Sequence, residues 1–200
     1  MINQYVLDRP VQQEVLRKSL HMSIALSPGV ANILGALPTI ILLALGVTVY
    51  TLAEALRISG RRVGLISLIT EWASRERDRD RFVLGPVTLG LGAMLALLLY
   101  PAPAATIAIY ALAFGDGFAS LMGRSLGGPR IPGTGGKTIT GAFACFLAVY
   151  AAAFPLTRHP GEAAAIALSA TLLELVPVDD LDNILLPVGT GLIASIFFSS

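Results

Sequence analysis

Residues 104–123 read AATIAIYALAFGDGFASLMG, and Asp116 is the single charged residue among these twenty. A helix of that length extends about 30 Å, which matches the hydrocarbon core of a bilayer. A carboxylate inside such a helix costs several kcal/mol unless it is paired or hydrated, so it marks a functional site by default. The stretch therefore predicts a membrane-spanning helix that carries one chemically important group.

The rest of the chain shares this apolar character. Of its 200 residues, 54% are hydrophobic and 14% are charged, whereas about 25% of residues are charged in an average soluble domain. This composition excludes an ordinary soluble enzyme, a secreted disulfide scaffold and a disordered tail. Cys145 is the only cysteine, so no internal disulfide can form, and we expect it to pack as a small hydrophobe. The net charge of +1 gives no sign of a nucleic-acid partner, and we expect none.

Apolar stretches recur along the whole sequence, and most approach the length of roughly 17–25 residues that crosses a bilayer. They predict an all-α, polytopic membrane bundle of about seven transmembrane helices, forming a single domain over residues 1–200. A polar N-terminal segment, 1–16, and a loop, 57–82, lie outside the stretches. The first stretch contains Pro28 and Gly29 and could be broken, tilted or only partly spanning. The seven stretches are 22–36, 37–56, 83–100, 104–123, 138–157, 162–177 and 183–198.

Basic residues fall almost entirely on one side of this topology. If the N-terminus is cytoplasmic and all seven stretches cross, 13 of the 14 basic residues lie inside and only Arg158 lies outside. The positive-inside rule then favours a multi-pass protein with a cytoplasmic N-terminus, in the cell membrane if the cell is a prokaryote. The run 63–70 is too short to span and is expected at the interface, with Trp72 as an anchor. The motifs described next would all share the cytoplasmic face.

Asp116 begins a polar stripe at helical spacing that continues through Ser120 and Arg124. Arg124 lies two turns away, too far for a direct reach, so a shared water, metal or ligand is more natural than a pair that only locks two helices. A second stripe of small residues runs beside the first and allows another helix to approach closely. That second stripe is Gly115, Ala119 and Gly123.

A glycine-rich loop follows, because residues 127–138 read GGPRIPGTGGKT. Backbone N–H groups without side chains can close on phosphate oxygens, and a helix N-terminus with a lysine adds favourable charge. The loop is not a Walker A motif, since Ile131 stands where that motif needs glycine. The alternative is a flexible turn whose lysine only marks the inner face. The candidate nucleotide-binding residues in the loop are Gly133, Gly135, Gly136, Lys137 and Thr138.

The first helix offers Arg17, Lys18 and His21 on neighbouring positions. This cluster is either a phosphate clamp or a positive-inside anchor at the headgroups, although an anchor does not need an imidazole. Near the other end of the chain, Glu174 sits inside an apolar run, one turn before a proline.

The acidic turn 179–183 places Asp182 and Asn183 where the last helix begins. Clustered hard oxygen ligands suit Mg²⁺, which commonly bridges carboxylates and nucleotide phosphates. N-capping of the helix by Asp182 or Asn183 is the alternative, and both roles are compatible.

These motifs, in this order, resemble the polyprenol kinase family, which includes dolichol kinase, phytol kinase and CTP-dependent diacylglycerol kinase. The likeness covers about residues 17–190. The residues that carry it are Arg17, Lys18 and His21; 114–120 with Gly123, Arg124 and Gly127; 136–138 with Gly141; and Glu174, Asp182, Asn183 and Pro187.

The resemblance implies transfer of the γ-phosphate of CTP to a lipid alcohol, an isoprenoid or diacylglycerol, at the cytosolic face, with Mg²⁺ or another divalent cation. Lys137 and the loop would hold the phosphates with Arg17, Lys18 and Arg124. Asp116 and Asp182 would hold the metal with Asn183, or one of these carboxylates would take the proton of the alcohol.

Two other functions stay open. Phosphatidate cytidylyltransferases share part of the glycine-rich pattern, but their C-terminal signature needs basic residues, and none follows Arg158 here. A small transporter would also carry intramembrane charges, but its polar groups are expected near the bilayer midplane rather than at one face.

Overall fold

The computed structural model describes residues 9–61, 63–73 and 81–198. Within these ranges no strand occurs and the elements are helices, apart from an isolated bridge between Arg130 and Thr138. This confirms the all-α prediction. The helices are α1 (Arg9–Met22), α2 (Ser27–Leu34), α3 (Ala36–Ile58), α4 (Gly64–Ala73), α5 (Gly85–Leu99), α6 (Ala102–Tyr110), α7 (Asp116–Ser125), α8 (Ile139–Thr157), α9 (Pro160–Glu174) and α10 (Asp182–Phe198).

Among the described residues, four helical stretches are long and apolar enough to cross a membrane. By contrast, α2 has 8 residues and α5 and α9 have 15 each, which gives about 12 Å and about 22 Å against the ~30 Å of a hydrocarbon core. The count of seven spans is therefore not confirmed. The four stretches are Ala36–Ile58, Ala102–Ser125, Ile139–Thr157 and Asp179–Phe198.

The first apolar stretch is broken, as its sequence suggested. A 3₁₀ turn over Ser23–Leu26 separates α1 from α2, and α2 ends at Gly35, whose positive φ of 94° favours glycine. The polar segment 1–16 is partly helical, because α1 begins at Arg9. Residues 1–8 and 74–80, with most of the charged part of the loop 57–82, lie outside the described residues.

The span that joins α6 and α7 lies at the centre of the bundle. It is 61% buried inside the protein, against 11% for α3, which faces outward with its leucines. A π-helical turn, Ala111–Gly115, connects α6 to α7 directly before Asp116. Such turns are common at functional sites, and the sequence pattern did not reveal this one.

Helix α8 packs against the predicted stripe of small residues. A Cβ on Gly115 would lie 2.9 Å from Val149, and a Cβ on Gly141 would lie 2.8 Å from the carbonyl of Ala119. Cys145 is fully buried at this contact, so its predicted role as a small hydrophobe is confirmed. The close approach of α7 and α8 holds Asp116 and the glycine-rich loop at the same end of the bundle.

Candidate active site

A cavity of about 950 Å³ opens at the end of the bundle where α7 and α9 finish and where α5, α8 and α10 begin. Of the candidate residues named from the sequence, only Gly133 does not line it. Residues up to 166 positions apart in sequence, from Arg17 to Asn183, thus converge on one site. The candidates that line it are Arg17, Lys18, His21, Asp116, Ser120, Arg124, Gly135, Gly136, Lys137, Thr138, Glu174, Asp182 and Asn183.

Asp116 lies buried in this cavity and is held by the first helix. Its Oδ2 accepts a hydrogen bond from Lys18 Nζ and lies 3.2 Å from His21 Nε2. Ser120 Oγ lies 3.4 Å from the other oxygen, Oδ1. Because Lys18 is also buried, the two charges neutralise each other away from water, and removal of either one would strand its partner.

His21 joins α1 to the π-helical turn. Its Nε2 lies 2.9 Å from the carbonyl oxygen of Leu112. Since a carbonyl only accepts, Nε2 carries the proton. Burial lowers the pKa of His21 to about 4, against the opposing effect of Asp116. At neutral pH the ring is therefore uncharged and donates to Leu112, and the positive charge beside the Asp116 carboxylate comes from Lys18.

Glu14 is a site residue that the sequence analysis missed. Its buried carboxylate lies 2.5 Å from Arg17 and 3.4 Å from Arg124, and these cations lower its pKa against the effect of burial. Arg124 therefore pairs with Glu14 rather than directly with Asp116, and a group shared by Arg124 and Asp116 stays a prediction. A signal was present, because Glu14 lies one turn before Arg17 on the same helical face.

The glycine-rich loop is an ordered hairpin. Its stem is closed by hydrogen bonds from Ile131 N to Lys137 O (2.8 Å) and from Ile139 N to Pro129 O (3.0 Å). Gly135 and Gly136 at the tip have φ values of 70° and 97°, which L side chains rarely adopt. In the described part of the chain, their N–H groups make no backbone hydrogen bond, so they are available to an anion.

The N-terminus of α8 has fewer free donors than the sequence suggested. Thr138 caps the helix, and its Oγ1 accepts a hydrogen bond from Gly141 N at 3.1 Å. Ile139 N is already bonded to Pro129. The tip of the loop, rather than the helix end, is therefore the better place for phosphate oxygens.

Lys137 projects from the loop to α9. Its Nζ lies 3.1 Å from Glu174 Oε1, and the lysine side chain keeps 25% of its exposure while that of Glu174 keeps 8%. The pair explains why an apolar helix carries a carboxylate at its end. The ammonium group of Lys137 is partly exposed, so it can turn toward a ligand in the cavity without breaking a fully buried ion pair.

Asp182 and Asn183 begin α10 but serve different contacts. Asn183 Nδ2 donates to Thr88 Oγ1 at 2.9 Å, which fastens α10 to α5. Asp182 has no ion pair with any described residue, although it lies near enough to Asp116 for the two carboxylates to repel each other. Asp182 is thus the cavity carboxylate that gains most from a proton or a cation.

The donor set fits a magnesium ion only with help from a ligand. Among the described residues, no group of three or more His, Cys, Asp or Glu side chains is gathered closely enough to hold a metal. Asp116 and Asp182 supply two carboxylates, and Mg²⁺ is commonly bound by one or two carboxylates together with substrate phosphates. The metal role of Asn183 stays a prediction: its amide nitrogen donates to Thr88, which leaves the amide oxygen as the atom that would bind a cation.

The side of the cavity away from these charges is apolar. It is formed by one face of α4, the start of α5 and single side chains from α1 and α3. The sequence analysis assigned no chemistry to this side. The apolar side chains that line it include Leu20, Ile66, Ile69, Val83, Pro86 and Leu89.

Comparisons with known proteins point to one kind of relative. The chain is 26% identical over 163 residues to a probable chloroplastic phytol kinase of Zea mays, covering 72% of this chain and 54% of that protein. A probable chloroplastic phytol kinase 2 of Glycine max is 28% identical over 134 residues, 58% of this chain and 46% of that protein. Chloroplastic phytol kinase 1 of Arabidopsis thaliana is 24% identical over 159 residues, 70% of this chain and 52% of that protein.

The chain spans about half the length of the curated relatives it matches. No family model matches it, and no solved structure does. The resemblance to the polyprenol kinase family is nevertheless confirmed, because this chain is similar in sequence to several proteins named phytol kinase.

Proposed function

We propose that this chain is a membrane kinase that transfers the γ-phosphate of CTP to an isoprenoid alcohol. The observation that carries the proposal is the shared cavity. One side of it holds Lys137, the open N–H groups of the loop and the Asp116–Lys18 pair, and the other side is apolar. A phosphate donor and a lipid alcohol each find matching chemistry there, and the similarity to phytol kinases supports the same reaction.

The phosphates of the donor would lie against the tip of the loop. The N–H groups of Gly135 and Gly136 would donate to phosphate oxygens, and Lys137 would turn from Glu174 toward the terminal phosphate. Arg17 and Arg124 would approach from the α1 side, where Glu14 keeps them in position. Phosphoryl transfer depends mainly on this kind of positioning and charge neutralisation.

The reaction needs a carboxylate near the attacking oxygen. The alcohol oxygen attacks the γ-phosphorus, the bond to the β–γ bridging oxygen breaks, and the nucleoside diphosphate leaves. Asp182, which has no cation partner among the described residues, would accept the hydroxyl proton. Asp116, paired with Lys18, would hold Mg²⁺ together with phosphate oxygens of the donor, and the ion would offset the charge of the phosphates.

The charge balance favours a neutral acceptor lipid. Each of the four basic side chains in the cavity already has a carboxylate partner: Arg17 and Arg124 share Glu14, Lys18 pairs with Asp116, and Lys137 pairs with Glu174. A cytidylyltransferase would bring together a triphosphate and a lipid phosphate, which calls for further cations. A transporter is disfavoured, because these groups gather at one end of the bundle.

Isotope position in the donor tests the proposal. Purified protein in detergent is incubated with Mg²⁺, a panel of phytol, a polyprenol and diacylglycerol, and CTP labelled at the γ or the α position. We expect the γ label in the lipid fraction and CDP as the product. Label from the α position in the lipid would establish the cytidylyltransferase instead. If no label reaches the lipid from CTP or from any other nucleoside triphosphate, the kinase proposal is overturned.

The proposed membrane face has its own test. The relatives are named chloroplastic, which argues against the cell membrane expected from the charge pattern, while the cytosolic placement of the cavity remains a proposal. In a Cys145→Ser background, Arg130→Cys should resist an impermeant thiol reagent in intact cells of a bacterial expression host, and Pro103→Cys should react. Labelling of position 130 from outside would reverse the orientation.

A further inference from the structure

We infer that the inner face of α4 is the binding groove for the hydrocarbon chain of the lipid alcohol, which enters between α1 and α4. This inference rests on the proposed kinase function and names the part of the cavity that recognises the chain. It assigns a role to α4, a helix of ten residues for which only an interfacial position was predicted from the sequence.

Helix α4 has one face that lines the cavity and one that does not. Ile66, Ile69, Thr70 and Ala73 recur at helical spacing and all line the cavity, so they form one face of the helix. Leu68 and Trp72 project away from the centre of this face, Leu65 lies at its edge, and each is more than half exposed. A helix that is apolar on both faces belongs in an apolar environment on both sides.

The two faces of α4 have different surroundings. A membrane suits the outer face, because α4 is too short to cross it and Trp72 is placed as an interfacial anchor. Among the described helices, α4 contacts α1 and α3, and its inner face lines the cavity beside them. An apolar ligand in the cavity would cover Ile66, Ile69 and Ala73, and the hydrocarbon chain of the proposed substrate has that chemistry.

The proposed entrance of the cavity lies between α1 and α4. Leu20 on α1 and Ile69 on α4 both line the cavity, yet they keep 42% and 36% of their exposure. Side chains that face the cavity and the exterior at once mark its mouth. An uncharged alcohol can pass this apolar mouth from the bilayer without losing the hydration of a charge, whereas a nucleotide cannot.

Charged side chains are distributed unevenly along the cavity. Asp116, Lys137 and Asp182 lie on α7, the glycine-rich loop and α10, and α4 contributes no charged lining residue. A chain that lies along α4 would place its hydroxyl toward these groups. The groove thus sets which chains fit, and the charged side sets the chemistry.

Tryptophan substitution on the two faces of α4 tests the groove. Ile69→Trp fills it, and Leu68→Trp adds the same bulk on the outer face. We measure kcat/KM for phytol and for the much shorter geraniol, and the KM for CTP. Ile69→Trp should lower kcat/KM for phytol by roughly tenfold or more, because several methylenes lose their burial, while the values for geraniol and CTP change little. Leu68→Trp should match the wild type.

Ile69→Ala provides a second variant that cannot block the groove and should cost phytol a few-fold. Equal losses for both alcohols in Ile69→Trp, or a loss in Leu68→Trp equal to that in Ile69→Trp, would overturn the groove. A photoreactive long-chain alcohol in proteoliposomes separates this result from the kinase proposal. Crosslinks to α4 that excess phytol prevents would support the groove even if wild-type protein phosphorylates no alcohol, and crosslinks confined to other helices would refute it.

Discussion

The two ends of the bundle are built in opposite ways. The charged end, where Lys18, Asp116, Lys137 and Glu174 meet, surrounds a cavity and is held by ion pairs. The uncharged end, defined as the packed interior around Tyr100 and Gly191, buries no charged residue among those the structure describes and is held by close packing: a Cβ on Gly191 would lie 2.3 Å from the ring of Tyr100. A membrane protein can afford buried charges only where they are paired. The charged end therefore carries function and the uncharged end carries stability.

Removal of Asp116 should have the largest effect. Asp116→Asn should abolish most phosphoryl transfer, and it should also lower the unfolding temperature, since Lys18 would stay buried without its counter-charge. The double variant Asp116→Asn with Lys18→Met removes both charges. We expect it to regain thermal stability in detergent and to stay inactive.

This double variant separates chemistry from structure. If activity returns with stability, the Asp116–Lys18 pair only locks α1 to α7. If neither returns, the loss of activity in the single variant has no catalytic meaning. Recovery of stability alone is the expected pattern, and it would place the function of the charged end on Asp116 itself.

Lys137 and Glu174 should contribute unequally although they form one ion pair. Lys137→Met removes a charge from the phosphate site and should lower kcat/KM for the nucleotide by about a hundredfold, which corresponds to about 2.7 kcal/mol. Glu174→Gln keeps the size of the side chain and frees Lys137, so a change of only a few-fold is expected. Equal losses, measured with saturating alcohol, would make the pair structural.

Substitution of a glycine outside the cavity lining should lower kcat by an intermediate amount. A Cβ on Gly92 in α5 would lie 2.0 Å from the carbonyl oxygen of Asn183, so Gly92→Ala must displace the start of α10 and with it Asp182. We expect kcat to fall by roughly tenfold, with about 1–3 kcal/mol of destabilisation from overpacking. Gly46→Ala in α3, where a Cβ meets nothing within 4 Å, is the matched control and should leave kcat unchanged.

The residues of the charged end could be predicted from the sequence better than the ion pairs that join them. Asp116, Lys137 and Asp182 could be named because charged residues in an apolar chain are costly and therefore conspicuous. Their partners could not be named, because ion pairs such as Lys18–Asp116 join residues 98 positions apart. Glu14 was missed for another reason: it lies in a polar segment, where one more carboxylate is unremarkable.

Helix lengths were the weakest part of the sequence prediction. Hydropathy marks where apolar residues are, but it does not show where a helix breaks. The π-helical turn before Asp116 and the 3₁₀ turn Ser23–Leu26 have no signal in residue composition. Prolines and glycines gave the better guide, since Pro28, Gly29 and Gly35 mark the region in which the first stretch is interrupted.

The smallest effect is expected at the uncharged end, where Tyr100 ties α5 to α10. Its hydroxyl donates to the carbonyl of Val188 at 2.6 Å. Tyr100→Phe removes this hydrogen bond but keeps the ring against Gly191, so the free energy of unfolding should fall by about 1 kcal/mol while kcat and both KM values stay unchanged. Gly191→Ala, which forces a side chain into the ring, should destabilise further and still spare kcat in the protein that remains folded. A loss of kcat in Tyr100→Phe comparable to that in Gly92→Ala would show that the two ends are coupled through α10, and the division between a functional and a stabilising end would then fail.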